Sequence, residues 1–557
     1  MMNNTITQLA NKCRNWLTEE ALPFWADSGF NSETGIFAEE FEYKNGNETV
    51  SRNRFRVQAR QVFVFAHAKE LGLFDASNIV DIAIEKGFDK FRNDQGEFVF
   101  CINSDEKAKD DVNAYEHAFA LLAYAWHYKM SGNESSLSRM DEVYQWIKST
   151  LKDESNPGYY YSRDEREFKS QNPHMHLFEA LMSCFEVTQD LKWLERSEEI
   201  YNLFNDFFLE KDKMREFFDI KMGTSHPACK HIDPGHHYEW IWLLNHYSHL
   251  TGKYLGSQMK ALESFVKPHG QNPNGLVRDE MNEGWTEYRS TSRLWCQTEY
   301  LKAQIALFEL TQDETYIFEI EGAVKRIFDN YFESAFHGGW VDQVDKNGSP
   351  IAETSPASTF YHIYVAFTEL LRLDNNMKKE SIPSFDFVTG KISGENIIAK
   401  DTLLSSLKGI FSDTEAFSKM DPNKVIYSVE MVAAEEKNGE LHFGVSHIEP
   451  GTVGDEFHIT RGHIHKAEEQ AEYYFGISGK GLLLLQDESG NVTYQDVYPG
   501  SVNYITGHVA HRLVNIGEDK LSVMAVWPAI AGHNYAFNNG EGFNARVFKT
   551  KLGYEIK

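Results

Sequence analysis

Positive charge is in short supply in this sequence. Lysine and arginine number 55 against 83 acidic residues, for a formal net charge of −28. Nucleic acids and anionic membranes need a basic field on their partner, so no nucleic-acid and no membrane partner is expected. A phosphorylated small molecule is still allowed, because a few local donors can hold one phosphate. Cysteine is scarce as well. Cys13, Cys101, Cys184, Cys229 and Cys296 are odd in number and widely spaced, which argues against a disulfide framework or a zinc knuckle. Reduced, buried thiols in a cytoplasmic protein are expected instead. There is no uninterrupted apolar run of about 18 residues, so no membrane span is expected. The opening MMNNTITQLANKCRNW lacks the charged-then-apolar order of a signal segment.

The chain has 557 residues, too many for one ordinary hydrophobic core. Its first part reads as helices. Residues 112–130 and 176–187 carry apolar side chains at spacings of three and four. Beyond about residue 425 the period changes to short β-rich runs, such as VIYSVEM, LHFGVSHI and GLLLLQ, broken by Gly, Asn and Asp. The polar stretch LDNNMKKESIPSFDF, with Pro383, separates the two patterns. Two domains are expected, 1–378 and 384–557.

The helical half repeats. Gly35-Ile36-Phe37, Gly96-Glu97-Phe98, Gly158-Tyr159-Tyr160, Gly275-Leu276-Val277 and Gly339-Trp340-Val341 recur, with Arg215-Glu216-Phe217 as a weaker member. The period of about 60 residues has room for two helices and a hairpin, and such units suggest a closed (α/α)6 barrel. Asn172-Pro173, Asp233-Pro234 and Ser355-Pro356 each read as an N-cap before a proline. The helices that follow carry His174 and His176, His236 and His237, and His362. Glu239 lies three residues after His236, on the same helical face. If these N-termini converge, paired imidazoles can remove and return a carbon-bound proton beside a carbonyl. An enzyme that cleaves glycosides is the alternative. It would need two flanking carboxylates, and the converging groups read mainly as histidines.

RVQARQVFVFAHA, NPHMHLFEALM, DPGHHYEWIWLL, SRLWCQTEYLKA and PASTFYHIYVAFTEL resemble the N-acylglucosamine 2-epimerase family, over about residues 10–372. The resemblance implies that Arg60 steadies a substrate oxygen and that His236 and His362 form the acid/base pair, with Glu239 supporting His236. It also implies that Tyr115, His176 and Trp295 line a sugar pocket. PASTFYH resembles the mannose and aldose–ketose isomerase branch. A 2-epimerase or a mannose-6-phosphate isomerase is the alternative within the family.

In the last third, Gly462-His463-Ile464-His465 ends a β-like run, and two histidines two apart project from one strand face. Glu472, Gly479 after six intervening residues, and Pro499-Gly500 through His511 to Asn515 complete a constellation for one divalent metal. The expected ligands are His463, His465, Glu472 and His511, and Fe, Mn, Ni and Zn all suit them. Glu468 and Glu469 compete with Glu472, and His508 with His511. The segments FDFVTGKISG, EPGTVGDEFHITRGHIH, AEEQAEYYFGISGKGLLLLQ and WPAIAGHNYAFNNGEGF resemble the cupin-type glucose-6-phosphate isomerases, over about 384–548. The resemblance implies an all-β cupin (double-stranded β-helix, jelly-roll) barrel. It implies that Tyr427, Ser446, Thr460, Gly462 and His533 contact the sugar phosphate and that Tyr474 and Tyr535 lie near the substrate chain. Glu472 would both touch the metal and move the proton. Arg461, Thr506, His508 and Trp527 depart from the family's usual residues. The expected whole is a fusion of two sugar isomerases acting on sugars and sugar phosphates, homodimeric through the cupin. A sugar-sensing regulator is the rival.

Overall fold

The computed structural model describes residues 2–49, 52–102, 111–284, 288–378, 382–395, 397–537 and 542–557. The chain divides into two compact units, Met1–Lys379 and Glu380–Lys557. Residues 379–381, within the stretch expected to join two domains, lie outside the described residues. Among the described residues no helix is long and apolar enough to cross a membrane. All five cysteines are buried, and no disulfide joins them.

The first unit is helical. Its inner helices are α2 (Phe55–Glu70), α4 (Ala114–Ser131), α6 (Gln171–Thr188), α8 (Pro234–Thr251), α10 (Leu294–Thr311) and α12 (Ala357–Lys378). They are buried on nearly every face, as helices enclosed by others must be. Each packs on the next, and α12 packs back on α2. Six outer helices cover them: α1 (Met2–Asn15) on α12, α3 (Ser77–Ile82) on α2, α5 (Glu134–Leu151) on α4, α7 (Leu191–Leu203) on α6, α9 (Gly256–Val266) on α8 and α11 (Thr315–Ile327) on α10.

The sequence repeat has a physical cause. In five units the repeated segment, and in the fourth Met214 just before it, leaves a backbone N–H inside the protein, and a buried N–H needs a partner. A side chain at the fourth position of the inner helix supplies it. Gln58 accepts from Phe37 N at 2.7 Å, His117 from Phe98 N at 3.4 Å, and His174 from Tyr159 N at 2.9 Å. His237 accepts from Met214 N at 3.1 Å and Gln297 from Val277 N at 2.8 Å. In the last unit Ser355, just before α12, accepts from Trp340 N at 3.0 Å.

Two of the expected helix starts need correction. Ser170, not Asn172, caps α6: its hydroxyl accepts from Asn172 N at 3.4 Å. Pro173 falls at the third helical position, where the missing N–H costs no intrahelical bond. Ser355-Pro356 belongs to a short strand, Thr354–Pro356, paired with Glu40–Glu42, and the Ser355 hydroxyl is spent on Trp340. Asp233 does cap α8, accepting from Gly235 N at 2.9 Å with Pro234 in the first position.

The second unit is strand-rich. Strands β1 (Ile397–Leu403), β2 (Val425–Val432), β3 (Leu441–Ile448), β4 (Glu472–Ser478), β5 (Gly481–Gln486), β6 (Val492–Val497), β7 (Val502–Ile505), β8 (Ala510–Asn515) and β9 (Leu521–Pro528) form two antiparallel sheets. Their orders are β1-β2-β3-β9-β4-β7 and β6-β5-β8. Ile448, Ile505, Leu521 and Val523 of the first sheet meet Leu483, Val497 and Leu513 of the second in one core. The expected strand at His463 is reduced to single bridges. His463 pairs with His511, and Ile464 with Asn534.

Candidate functional site

In the helical unit, Arg60, Tyr115, His176, His236, Glu239, Trp295 and His362 all line one cavity of about 420 Å³. Each comes from the first turns of an inner helix, so the N-termini of α2, α4, α6, α8, α10 and α12 supply the site. Trp295 lies beside both histidines of the expected pair. Its ring centre is 5.2 Å from that of His236 and 5.6 Å from that of His362. Gly235 makes room for it, because a Cβ there would fall 2.6 Å from the indole.

The paired histidines divide into two kinds. His174 and His237 are clamps. Each uses Nε2 on a hairpin N–H and Nδ1 on a backbone carbonyl, Ser170 O at 2.7 Å and Asp233 O at 2.9 Å. Burial pushes both down to about 4, and an imidazole that accepts through one nitrogen and donates through the other is neutral. His176, His236 and His362 face the cavity instead.

Each cavity histidine rests on a buried carboxylate. His236 Nδ1 lies 2.9 Å from Glu216 Oε2 and 3.8 Å from Asp233 Oδ2. The support expected from Glu239 comes through charge and not through contact: neither Glu239 oxygen has a hydrogen-bond partner, the residue is 1 % exposed, and its charge adds to those that raise His236. His362 Nδ1 lies 2.7 Å from Glu299 Oε1, and His176 Nδ1 lies 3.2 Å from Glu179 Oε2. Tyr361 donates to the other oxygen of Glu179. The surroundings of the two central imidazoles differ in sign. Burial alone would lower His236, but Glu216 and Asp233 outweigh it and hold His236 up at about 10. His362 is pushed well down by burial, then by Arg60 and Lys302.

Sequence reasoning missed Glu179, Glu216 and Glu299. It also missed Arg54, Arg56, Arg293 and Asp342, which line the cavity. Glu216 was within reach, because it sits in the weakest member of the Gly-aromatic repeat. The expectation that histidines dominate this end also needs correction. Asp233, Glu239 and Asp342 are in the wall, and burial pushes Asp233 and Asp342 up to about 6.

In the strand-rich unit, Tyr427, Ser446, Thr460, Gly462, His463, Glu472, Tyr474, His511, His533 and Tyr535 line a second cavity, of about 280 Å³. One ligand atom each from His463, His465, Glu472 and His511 lies within 4.8 Å of the others. Glu472 opens β4 and His511 lies in β8. Glu472 Oε1 is 2.6 Å from His511 Nε2 and 3.4 Å from His465 Nε2. Yet none of these atoms, nor His463 Nε2, makes a well-formed hydrogen bond. Converging buried lone pairs without donors suit a cation, and three imidazoles with one carboxylate suit a divalent first-row metal. The competitors lie elsewhere. Glu468 and His508 belong to an exposed cluster with Glu488, and Glu469 is exposed. Gly462 has φ +77°, and a Cβ there would fall 2.6 Å from the Phe543 ring, so glycine is required before the first ligand. Of the departures, Arg461 lies over the Tyr535 ring at 4.9 Å, and Trp527 lines the cavity.

Comparison with known proteins follows the same division. Residues 35–366 match the family described as N-acylglucosamine 2-epimerase, and residues 402–551 match glucose-6-phosphate isomerase. The mannose-6-phosphate isomerase of Rhizobium meliloti is 33% identical over 382 residues, covering 65% of this chain and 96% of that protein. The glucose-6-phosphate isomerase of Thermococcus onnurineus is 40% identical over 175 residues, covering 31% of this chain and 89% of that protein. Among solved structures, a D-mannose isomerase matches with a TM-score of 0.58 at 21% identity, covering 66% of this chain and 97% of that one. A cellobiose 2-epimerase from Bacillus thermoamylovorans matches with a TM-score of 0.57 at 19% identity, covering 65% and 99%. The chain thus belongs to the N-acylglucosamine 2-epimerase family through its helical unit and to the glucose-6-phosphate isomerase family through its strand-rich unit.

Proposed function

We propose that this chain is a fusion of two sugar isomerases. The helical unit, read as an (α/α)6 barrel, converts a mannose-type aldose to the ketose. The strand-rich unit, read as a cupin barrel, interconverts glucose 6-phosphate and fructose 6-phosphate, and the chain pairs as a homodimer through it. One observation carries the helical reading: His236 and His362 flank one cavity in electrostatic surroundings of opposite sign. Such a split assigns the acid and the base.

Neutral His362 takes the proton from C2 of the open-chain aldose, and His236 as imidazolium delivers one to C1. Over the whole reaction hydrogen moves from C2 to C1 and from O2 to O1, which gives the 2-ketose. Delivery to the opposite face of C2 would give an epimer instead. Arg60, held by Ser358 O at 3.1 Å and Tyr115 Oη at 2.9 Å, steadies the substrate oxygens. Arg54, Arg56, Arg60 and Arg293 in the wall favour an anionic hexose, although Glu39, Glu116 and Asp279 partly answer three of them. The name of the Rhizobium relative supports mannose 6-phosphate equally.

In the strand-rich unit, His463, His465, Glu472 and His511 would hold one divalent ion, Fe, Mn, Ni or Zn. When bound, it would polarise adjacent sugar oxygens as a Lewis acid. Glu472, beside the substrate chain, moves the proton between C2 and C1. Tyr427, Ser446, Thr460, Gly462 and His533 hold the phosphate end, and Tyr474 and Tyr535 flank the chain. The test is to incubate the protein with mannose, mannose 6-phosphate and glucose 6-phosphate and resolve the products by carbon NMR. Fructose or fructose 6-phosphate is expected from each. Glucose or its 6-phosphate arising directly from the mannose substrates in a His463→Ala variant, without ketose, would make the helical unit a 2-epimerase.

A further inference from the structure

Water does not reach the ammonium group of Lys302: the residue, on α10, is 0 % exposed. Its Nζ lies 2.7 Å from Glu299 Oε2, one turn earlier on the same helix, and 3.7 Å from the centre of the Trp242 ring. The other oxygen of Glu299 meets His362 Nδ1 at 2.7 Å. An ammonium, a carboxylate and an imidazole therefore run in line from the interior to the cavity wall. The chemistry described so far uses only the last of them.

Carboxylates crowd this interior. Ligand atoms of Glu239, Glu299 and His362 lie within 4.8 Å of one another, and so do those of His176, Glu179 and Glu239. Neighbouring carboxylates in a dry interior cannot all stay charged without a cation. Burial and then Glu239 push the Glu299 carboxyl well up, and Lys302, 2.7 Å away, is the strongest influence in the opposite direction without cancelling them. The groups facing Glu299 are Lys302 on its own helix, Glu239 from α8, Glu179 from α6 and His362 from α12. Arg60 from α2, His176 from α6 and His236 from α8 act on His362 in turn. A bound proton and a metal ion are the other means of neutralising such a group, and Lys302 already stands beside Glu299.

We propose that Lys302 is a positioning residue of the helical site. It keeps Glu299 a carboxylate, so that Glu299 accepts the Nδ1 proton of His362 and leaves the Nε2 lone pair to take the substrate proton. This rests on the isomerase reading of the helical unit. Without the ammonium, Glu299 takes up a proton and can donate to Nδ1. The imidazole then adopts the opposite tautomer, its Nε2 carries hydrogen, and the base is lost while every cavity-lining side chain stays unchanged.

The test uses the full chain with Lys302→Met, Lys302→Arg and Glu299→Gln. Lys302→Met is expected to lose up to about tenfold in kcat at neutral pH with KM within about threefold. Removing a cation raises a carboxyl pKa, so the acid limb of kcat moves to higher pH, by about one unit. Lys302→Arg keeps the wild-type limb. Adding Lys302→Met to Glu299→Gln brings no further loss, because both act through one group. Ring-nitrogen NMR of His362, identified by the signal missing in His362→Gln, shows the proton on Nδ1 in the wild type and on Nε2 in Lys302→Met. An unshifted limb with the wild-type tautomer, additive losses, or abolition of the helical activity by a chelator would overturn the proposal. If no hexose is turned over, the isomerase reading fails, and the NMR comparison still decides the relay.

Discussion

Two imidazoles about equally far from one indole differ in state because Glu216 and Asp233 outweigh burial at His236, whereas burial, Arg60 and Lys302 all lower His362. Behind His236 are Glu216 and Asp233; behind His362 is a carboxylate already answered by a buried ammonium. On the proposed mechanism the rate at the helical site needs His236 charged and His362 neutral, and it is expected to fall as pH rises toward about 10, where His236 loses its proton. Glu216→Gln removes the strongest influence holding that proton. The basic limb of the pH–rate profile is expected to move to lower pH, by about one unit or more. An unmoved limb would take His236 out of the role of acid. The same proton is linked to stability. Its contribution is complete below the unfolded histidine value near 6.5 and is lost as pH rises through about 10.

The repeated clamp shows what one helix position is for. Glutamine fills it in α2 and α10, histidine in α4, α6 and α8, and each accepts from the hairpin backbone. The repeat itself thus contains a natural substitution. His237→Gln is expected to leave the thermal midpoint nearly unchanged, whereas His237→Ala strands the buried N–H of Met214 and costs about 1–3 kcal/mol. Equal melting of the two variants, followed by calorimetry, would show that the clamp does not act through that bond. The repeat also explains which parts were legible in the sequence. Helices announce themselves by period, and the spaced Gly-aromatic segments by recurrence, so the helical half, its unit length and the strand-rich last third could be read directly. Candidate ligands two residues apart, as in His463 and His465, could be read as well. Glu216 lies in a readable repeat, but its pairing with His236, 20 residues away, could not be read, nor could that of Glu299 with His362, on another helix 63 residues away. His174 and His237 misled for the opposite reason. They lie one or two residues from the cavity histidines, but on a helix each step turns the side chain by about 100°, so theirs turn to the hairpins.

As a whole the chain carries two sites whose essential groups do not overlap, each with its own core. His362→Ala is expected to abolish conversion of the mannose substrate and leave glucose 6-phosphate isomerisation within about twofold. His463→Ala should do the reverse and lose bound metal. Coupled assays on each variant, with metal content measured, check both; loss of both activities in either folded variant would reject separate sites. The closing of α12 on α1 and α2 has a consequence for how the chain is made. Thr7 donates to Asp374, 367 positions later, and the Trp16 ring lies against Phe360 and Phe367. At about 5–20 residues per second, the ribosome needs roughly 20–70 s to supply the partners of that first helix. Through that interval the seam stays open and its apolar side chains stay exposed, a window in which a chaperone could act. The strand-rich unit, Glu380–Lys557, follows as a compact unit of its own.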